Sequence, residues 1–159
     1  MLKQNCFSAL AAAMITVSSA YAGAGWETDF AAVQKLAKEK NLPILADFSG
    51  SDWCGWCIKL DKEVFSKEAF KAYAKDNLVL FLADFPQRTA QSDALKEQNQ
   101  GLAKKYGIQG FPTVLLLKAD GTLIEQTGYQ RGGPEKYVEH LKGLLTPPRL
   151  PSDELLDAQ

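Results

Sequence analysis

The sequence predicts an α/β domain with a central mixed sheet of about four to five strands and helices on both faces. Two mostly apolar runs of strand length, residues 44–48 (ILADF) and 78–85 (LVLFLADF), suit strands covered on both sides. Helical periodicity fills the chain between them, the pattern of a parallel pair joined by a right-handed crossover. Later, residues 113–117 (TVLLL) and 122–126 (TLIEQ) flank Asp120 and Gly121, a hairpin signal that adds antiparallel strands to the same sheet.

Each element has local grounds. Thr28 or Asp29 is placed to cap a helix running to Lys40, with Phe30, Val33, Leu36 and Ala37 on one face, and Asn41 ends it. Pro43 opens the first strand. From Cys57 onward, Cys57, Leu60 and Val64 recur at three and four and mark an inner helix face, with Lys59, Asp61, Lys62 and Glu63 turned to water. Ser66 is expected to cap a further helix that buries Phe70 and Tyr73. Pro86 stops the second strand, a polar stretch follows, and a helix is expected from Asp93 to Tyr106, closed by Gly107. Gly132 and Gly133 lead to Pro134 at the start of a last helix whose apolar face is Tyr137, Val138, Leu141, Leu144 and Leu145.

The chain has 159 residues and a net charge of -1, with no long basic run, so nothing points to nucleic acid or an anionic membrane. Residues 1–22 read as a secretory signal peptide: Lys3, an apolar stretch, then AYA ending at Ala22. An uncut N-terminal anchor is the alternative. Residues 23–145 form the expected domain, and 146–159 a flexible tail with little core to offer. Cleavage would place the protein in the periplasm or outside the cell. It would remove Cys6 and leave two cysteines, Cys54 and Cys57.

Those two sit three apart in the stretch SDWCGWC, residues 51–57. A bridge closing so small a loop would staple almost nothing, which points to chemistry rather than architecture. A zinc or iron–sulfur centre normally takes four ligands, and beyond the pair only His140 remains, read as a solvated histidine on the last helix. No metal or other cofactor is therefore expected. A redox dithiol explains more: a helix N-terminus lowers a thiol's pKa, and Cys54 occupies that end. Cys57, on the inner face, is placed to attack a mixed disulfide formed at Cys54. Trp53 is expected to pack under the motif and Trp56 to stand exposed, suited to a peptide-binding surface.

The segments ADFSGSDWCGWC and KYGIQGFPT, together with the stretch around Gly128, resemble the thioredoxin superfamily. The similarity is greatest to exported thioredoxin-like proteins, including the C-terminal domain of DsbD-type thiol:disulfide interchange proteins. It spans residues 43–143. The resemblance implies a thioredoxin-like fold and exchange of protein disulfides through Cys54 and Cys57. It implies a cis bond between Phe111 and Pro112, with Phe111 offering its backbone to an extended client and Pro112 covering the sulfurs. Asp47 matches a buried acid that assists proton transfer at the inner cysteine, although one extra residue separates it from Cys54. The lysine that often partners this acid has no counterpart in residues 78–85, and the segment 85–106 is longer than in a minimal member, read as a lengthened helix, with a part in partner choice as the alternative.

The expected protein is a monomeric thiol:disulfide oxidoreductase working in the reductase or isomerase direction. The motif carries no cation to stabilise the Cys54 thiolate, and Asp47, Asp52 and Asp61 weigh against it. Its partners would be proteins bearing disulfides or thiols, and an upstream membrane or soluble electron donor. A non-catalytic binding module of the same fold and a metal or cluster carrier are the alternatives.

Overall fold

The structure, a computed structural model, describes residues 25–146. The leader, its cleavage point at Ala22, Cys6 and the tail beyond Thr146 lie outside the described residues. The elements in chain order are β1 (Trp26–Glu27), α1 (Phe30–Lys40), β2 (Ile44–Ser49), α2 (Gly55–Leu60), a π-helical turn (Asp61–Phe65), α3 (Glu68–Asn77), β3 (Val79–Asp84), α4 (Asp93–Tyr106), β4 (Thr113–Leu117), β5 (Leu123–Thr127) and α5 (Gly133–Leu145). The five strands form one sheet in the order β1-β3-β2-β4-β5. β2 and β3 pair in parallel, while β4 lies antiparallel to both β2 and β5.

Local chemistry sets the helix ends. The Asp29 carboxylate accepts the Ala32 N–H, and Asn41 closes α1 in the left-handed region at φ 53°. Ser92 caps α4 and Gly107 ends it at φ 65°. Ser66 departs from expectation. Its N–H bonds to the Asp61 carbonyl at 2.9 Å, the five-residue step of a π turn, so α3 begins only after Lys67 and without a side-chain cap. β1 is a further difference: two residues, too short to show a period, pair with Leu80 and Phe81 at the edge of the sheet.

Strand alternation divides the core into two layers. Ile44, Ala46 and Phe48 of β2 face α1 and α4, packing with Phe30, Val33 and Leu102. Leu45 faces the other side, with Leu60, Val64, Phe70, Tyr137 and Leu141 from α2, the π turn, α3 and α5. Asp47 has the parity of Leu45, so β2 aims a carboxylate at the layer that carries α2.

Candidate active site

The sequence places Cys54 at the N-cap of α2, with Cys57 one turn in. The two are joined by a disulfide. The Cys57 backbone N–H points at the Cys54 sulfur, 3.2 Å away, so the sulfur occupies the place of a capping oxygen. The same contact would favour a thiolate at Cys54 in the reduced protein. Exposure barely separates the two cysteines in this oxidised state, at 7% for Cys54 and 4% for Cys57. Position does separate them: Cys57 lines a cavity of about 390 Å³ beneath the motif, and Cys54 does not.

Asp47, Ser49, Asp61, Phe65 and Leu82 line the same cavity. Asp47 is 6% exposed, and its Oδ1 has no hydrogen-bond partner. Burial pushes its pKa up to about 8, and the nearby Asp61 and Asp84 charges push the same way. Leu82 stands beside Asp47 in the parallel register, so an aliphatic side chain faces the acid from the neighbouring strand. The additional residue before Cys54 therefore leaves Asp47 and Cys57 on one cavity. Sequence reasoning put Asp61 among water-facing residues; the π turn that follows α2 brings it to the rim of this cavity while leaving it exposed.

The aromatic residues flank the disulfide. Trp53 does not lie under the motif; it is 37% exposed at its side. Its Nε1–H donates to the Phe85 carbonyl at 2.8 Å, and its ring meets Phe111 edge-on at 5.9 Å. Gly50 permits this, because a Cβ there would come within 2.6 Å of the Trp53 Nε1 atom. Trp56 is 54% exposed and packs 5.3 Å from Tyr129, with the Lys59 ammonium over both rings. The Tyr129 hydroxyl donates to Glu63 at 2.6 Å, and Lys59 closes the cluster through Glu63 at 3.7 Å. Tyr129 and Glu63 carried no motif signal, being 66 residues apart.

Phe111 and Pro112 are half-buried, and the peptide bond between them is cis. The chain near Gly128 passes so close that a Cβ there would meet the Pro112 carbonyl at 3.3 Å. His140 is not the solvated histidine expected. It is half-buried, with Nε2 2.8 Å from the Thr127 hydroxyl and its ring edge-on to Tyr137, because that side of α5 packs against the end of β5.

A five-stranded mixed sheet with helices on both faces, and a disulfide capping the helix after its central strand, define a thioredoxin-like protein. The thioredoxin-like domain family model matches residues 30–144, and the chain belongs to that family. It is 34% identical over 120 residues to the disulfide bond reductase DsbH of Chlamydia pneumoniae, covering 76% of this chain and 72% of that protein. The thioredoxin-related protein DsbJ of the same organism is 31% identical over 103 residues; the match covers 65% of this chain but only 30% of DsbJ. Among solved structures, a DsbH oxidoreductase superposes with a TM-score of 0.73 at 32% identity, covering 85% of this chain and 93% of that one. The reduced C-terminal domain of DsbD from Neisseria meningitidis gives 0.54 at 26% identity, covering 71% and 90%.

Proposed function

We propose that this protein is an exported thiol:disulfide oxidoreductase that reduces or exchanges disulfides of client proteins through Cys54 and Cys57. One observation carries the reading. The two cysteines form a disulfide in which Cys54 caps a helix and Cys57 borders a cavity holding an unpartnered buried carboxyl. The shared family and the likeness to a protein named disulfide bond reductase support it.

In the reductive direction the Cys54 thiolate attacks a client disulfide. One client sulfur leaves as a thiolate and takes a proton from water, and a mixed disulfide joins Cys54 to the client. The Cys57 thiol passes its proton to the Asp47 carboxylate, and the resulting thiolate attacks the Cys54 sulfur. The Cys54–Cys57 disulfide forms and the second client sulfur leaves, so two electrons have moved from the dithiol to the client. Asp47 suits this step because burial holds its pKa near 8, where it accepts and releases a proton around neutrality. Trp53, Trp56 and the Phe111 backbone line the client site, and Pro112 covers the sulfurs. An upstream dithiol, on a membrane protein or a soluble one, restores the reduced state. The protein acts as a monomer after cleavage at Ala22, and a mature N-terminus elsewhere would overturn that start point.

The test is reduction of insulin disulfides by the reduced protein. Wild type should catalyse it and Cys54→Ser should not. Cys57→Ser should accumulate mixed disulfides with clients, because the sulfur that resolves them is gone. Faster labelling of Cys57 than of Cys54 in the native reduced protein would reverse these roles.

A further inference from the structure

Two carboxylates facing in opposite directions fasten the chain ahead of the dithiol to the chain after β3. Asp84, the last residue of β3, accepts from the Ser51 backbone N–H at 2.9 Å and from the Ser51 hydroxyl at 2.6 Å. Asp52, one residue on, accepts from three successive backbone N–H groups of the other segment: Gln87 at 2.9 Å, and Arg88 and Thr89 at 2.8 Å. These bonds, the Gln87 N–H foremost, hold the Asp52 carboxyl at about 2, so it is charged at every working pH. The Gln91 side-chain amide ties the far end of the loop to the Asp84 carbonyl at 3.1 Å, and the Asn99 amide of α4 donates to the same oxygen at 2.9 Å.

The clamp is not needed to start the redox helix, which Cys54 caps itself. What it fixes is the loop of residues 85–91: the Phe85 N–H still pairs with the Ser49 carbonyl at 2.8 Å, but Gln87, Arg88 and Thr89 have no regular structure to satisfy theirs. The loop begins with Phe85, whose ring lies 5.0 Å from Phe111, and Phe111 in turn meets Trp53. Loop, motif and the residue before Pro112 therefore make one continuous wall on the Trp53 side of the disulfide. The clamp also joins two features that stood apart in the sequence: the additional residue between Asp47 and Cys54, and the longer segment after β3.

We propose that Asp52 is a positioning residue that sets selectivity for polypeptide disulfides, by holding residues 85–91 as a fixed wall of the client groove. The inference rests on reading Cys54 and Cys57 as a protein-disulfide exchanger. A polypeptide approaching Cys54 lays a neighbouring apolar side chain on Trp53 and Phe111 and runs along the loop. A loop already ordered costs nothing to order on binding. A small disulfide reaches the sulfur without touching that wall, so it does not sense the clamp.

The experiment compares Asp52→Ala and Asp52→Asn with wild type, using insulin as the protein disulfide and bis(2-hydroxyethyl) disulfide as the small one. For Asp52→Ala the ratio of the two kcat/KM values, protein over small, should fall about tenfold, with the change carried by KM for insulin. Asp52→Asn keeps one acceptor oxygen and should recover part of the ratio. It also serves as the test if the alanine variant does not fold. An unchanged ratio in the variants, beside a wild type that reduces both substrates, would overturn the positioning role alone. So would a loss confined to kcat. A wild type that reduces neither substrate would overturn the oxidoreductase reading itself.

Discussion

Replacing Asp47 with asparagine should stabilise the oxidised protein, and by an amount that grows with pH. The folded carboxyl titrates at about 8 against an ordinary 3.8, because burial removes the charged form from water. Between those values the folded state holds a proton that the unfolded chain has released. The Asp47 contribution to wild-type stability is therefore full below about pH 4, falls as pH rises through the window from 4 to 8, and levels off above it. A shift of about four units at 1.36 kcal/mol per unit sets a ceiling of roughly 5–6 kcal/mol. Water entering the cavity screens the charge, so a gain of about 2–4 kcal/mol above pH 8 is expected. Asparagine has no proton to lose and nearly the same shape, so below pH 4 it should match wild type.

Urea unfolding of the two oxidised proteins at pH 4, 6, 7.5 and 9 checks this, since the Cys54–Cys57 pair does not titrate while bridged. The wild-type midpoint should fall across the series relative to that of the variant, with the m-value unchanged. A difference that stays constant over the series would mean that Asp47 is not a buried acid of raised pKa, and its role as proton acceptor for Cys57 would fall too. If the role is right, the stabilised variant should also be the slower enzyme, by roughly 10²-fold or more near neutral pH, the typical contribution of a positioned base.

The remaining expectations are briefer. The Cys54–Cys57 couple should have a reduction potential nearer to the roughly −270 mV of thioredoxin than to the roughly −120 mV of DsbA, since the motif contains no cation; a value above about −150 mV in a glutathione series would overturn the reductive direction. Tyr129→Phe removes the hydroxyl that donates to Glu63 and should loosen the Trp56 cluster, lowering insulin reduction about two- to threefold and changing Trp56 emission; identical emission would show that the hydroxyl does not hold the ring. Phe70→Ala empties a fully buried site 4.9 Å from the Phe65 ring and should cost about 3–5 kcal/mol in chemical unfolding, whereas a loss under about 1 kcal/mol would mean the layer around α3 refills the space.

What could be read from the sequence was what short-range chemistry decides. Asp29 (offered beside Thr28), Asn41 and Gly107 each set a helix end through bonds to residues within a few positions, so their types marked both ends of α1 and the end of α4; the Ser92 cap was not singled out in the sequence. Cys54 at a helix start and Cys57 one turn in follow from the motif spacing. Asp47 as a buried acid came from the resemblance, and its side of the sheet became clear only when β2 placed it with the parity of Leu45. The hairpin was legible from Asp120 and Gly121, though β5 runs one residue later than its apolar pattern suggested.

What could not be read depends on partners far along the chain. β1 exists because two residues find an edge of β3, and no periodicity fits in two residues. The π turn displaced the helix start expected at Ser66, because one wider turn carries Val64 and Phe65 into the core while bringing Asp61 to the cavity rim. The segment after β3 reads as a polar stretch followed by a lengthened helix, and α4 does begin at Asp93. What holds the polar stretch was not legible: a carboxylate 35 to 37 positions earlier collects the N–H groups of Gln87, Arg88 and Thr89. An aspartate before a tryptophan in SDWC carries no sign of that duty. The chemistry at the sulfurs is thus written in adjacent residues, which see one another in any conformation. The groove that would choose the client is written in Asp52, Asp84 and Tyr129, which meet their partners only when the sheet has formed.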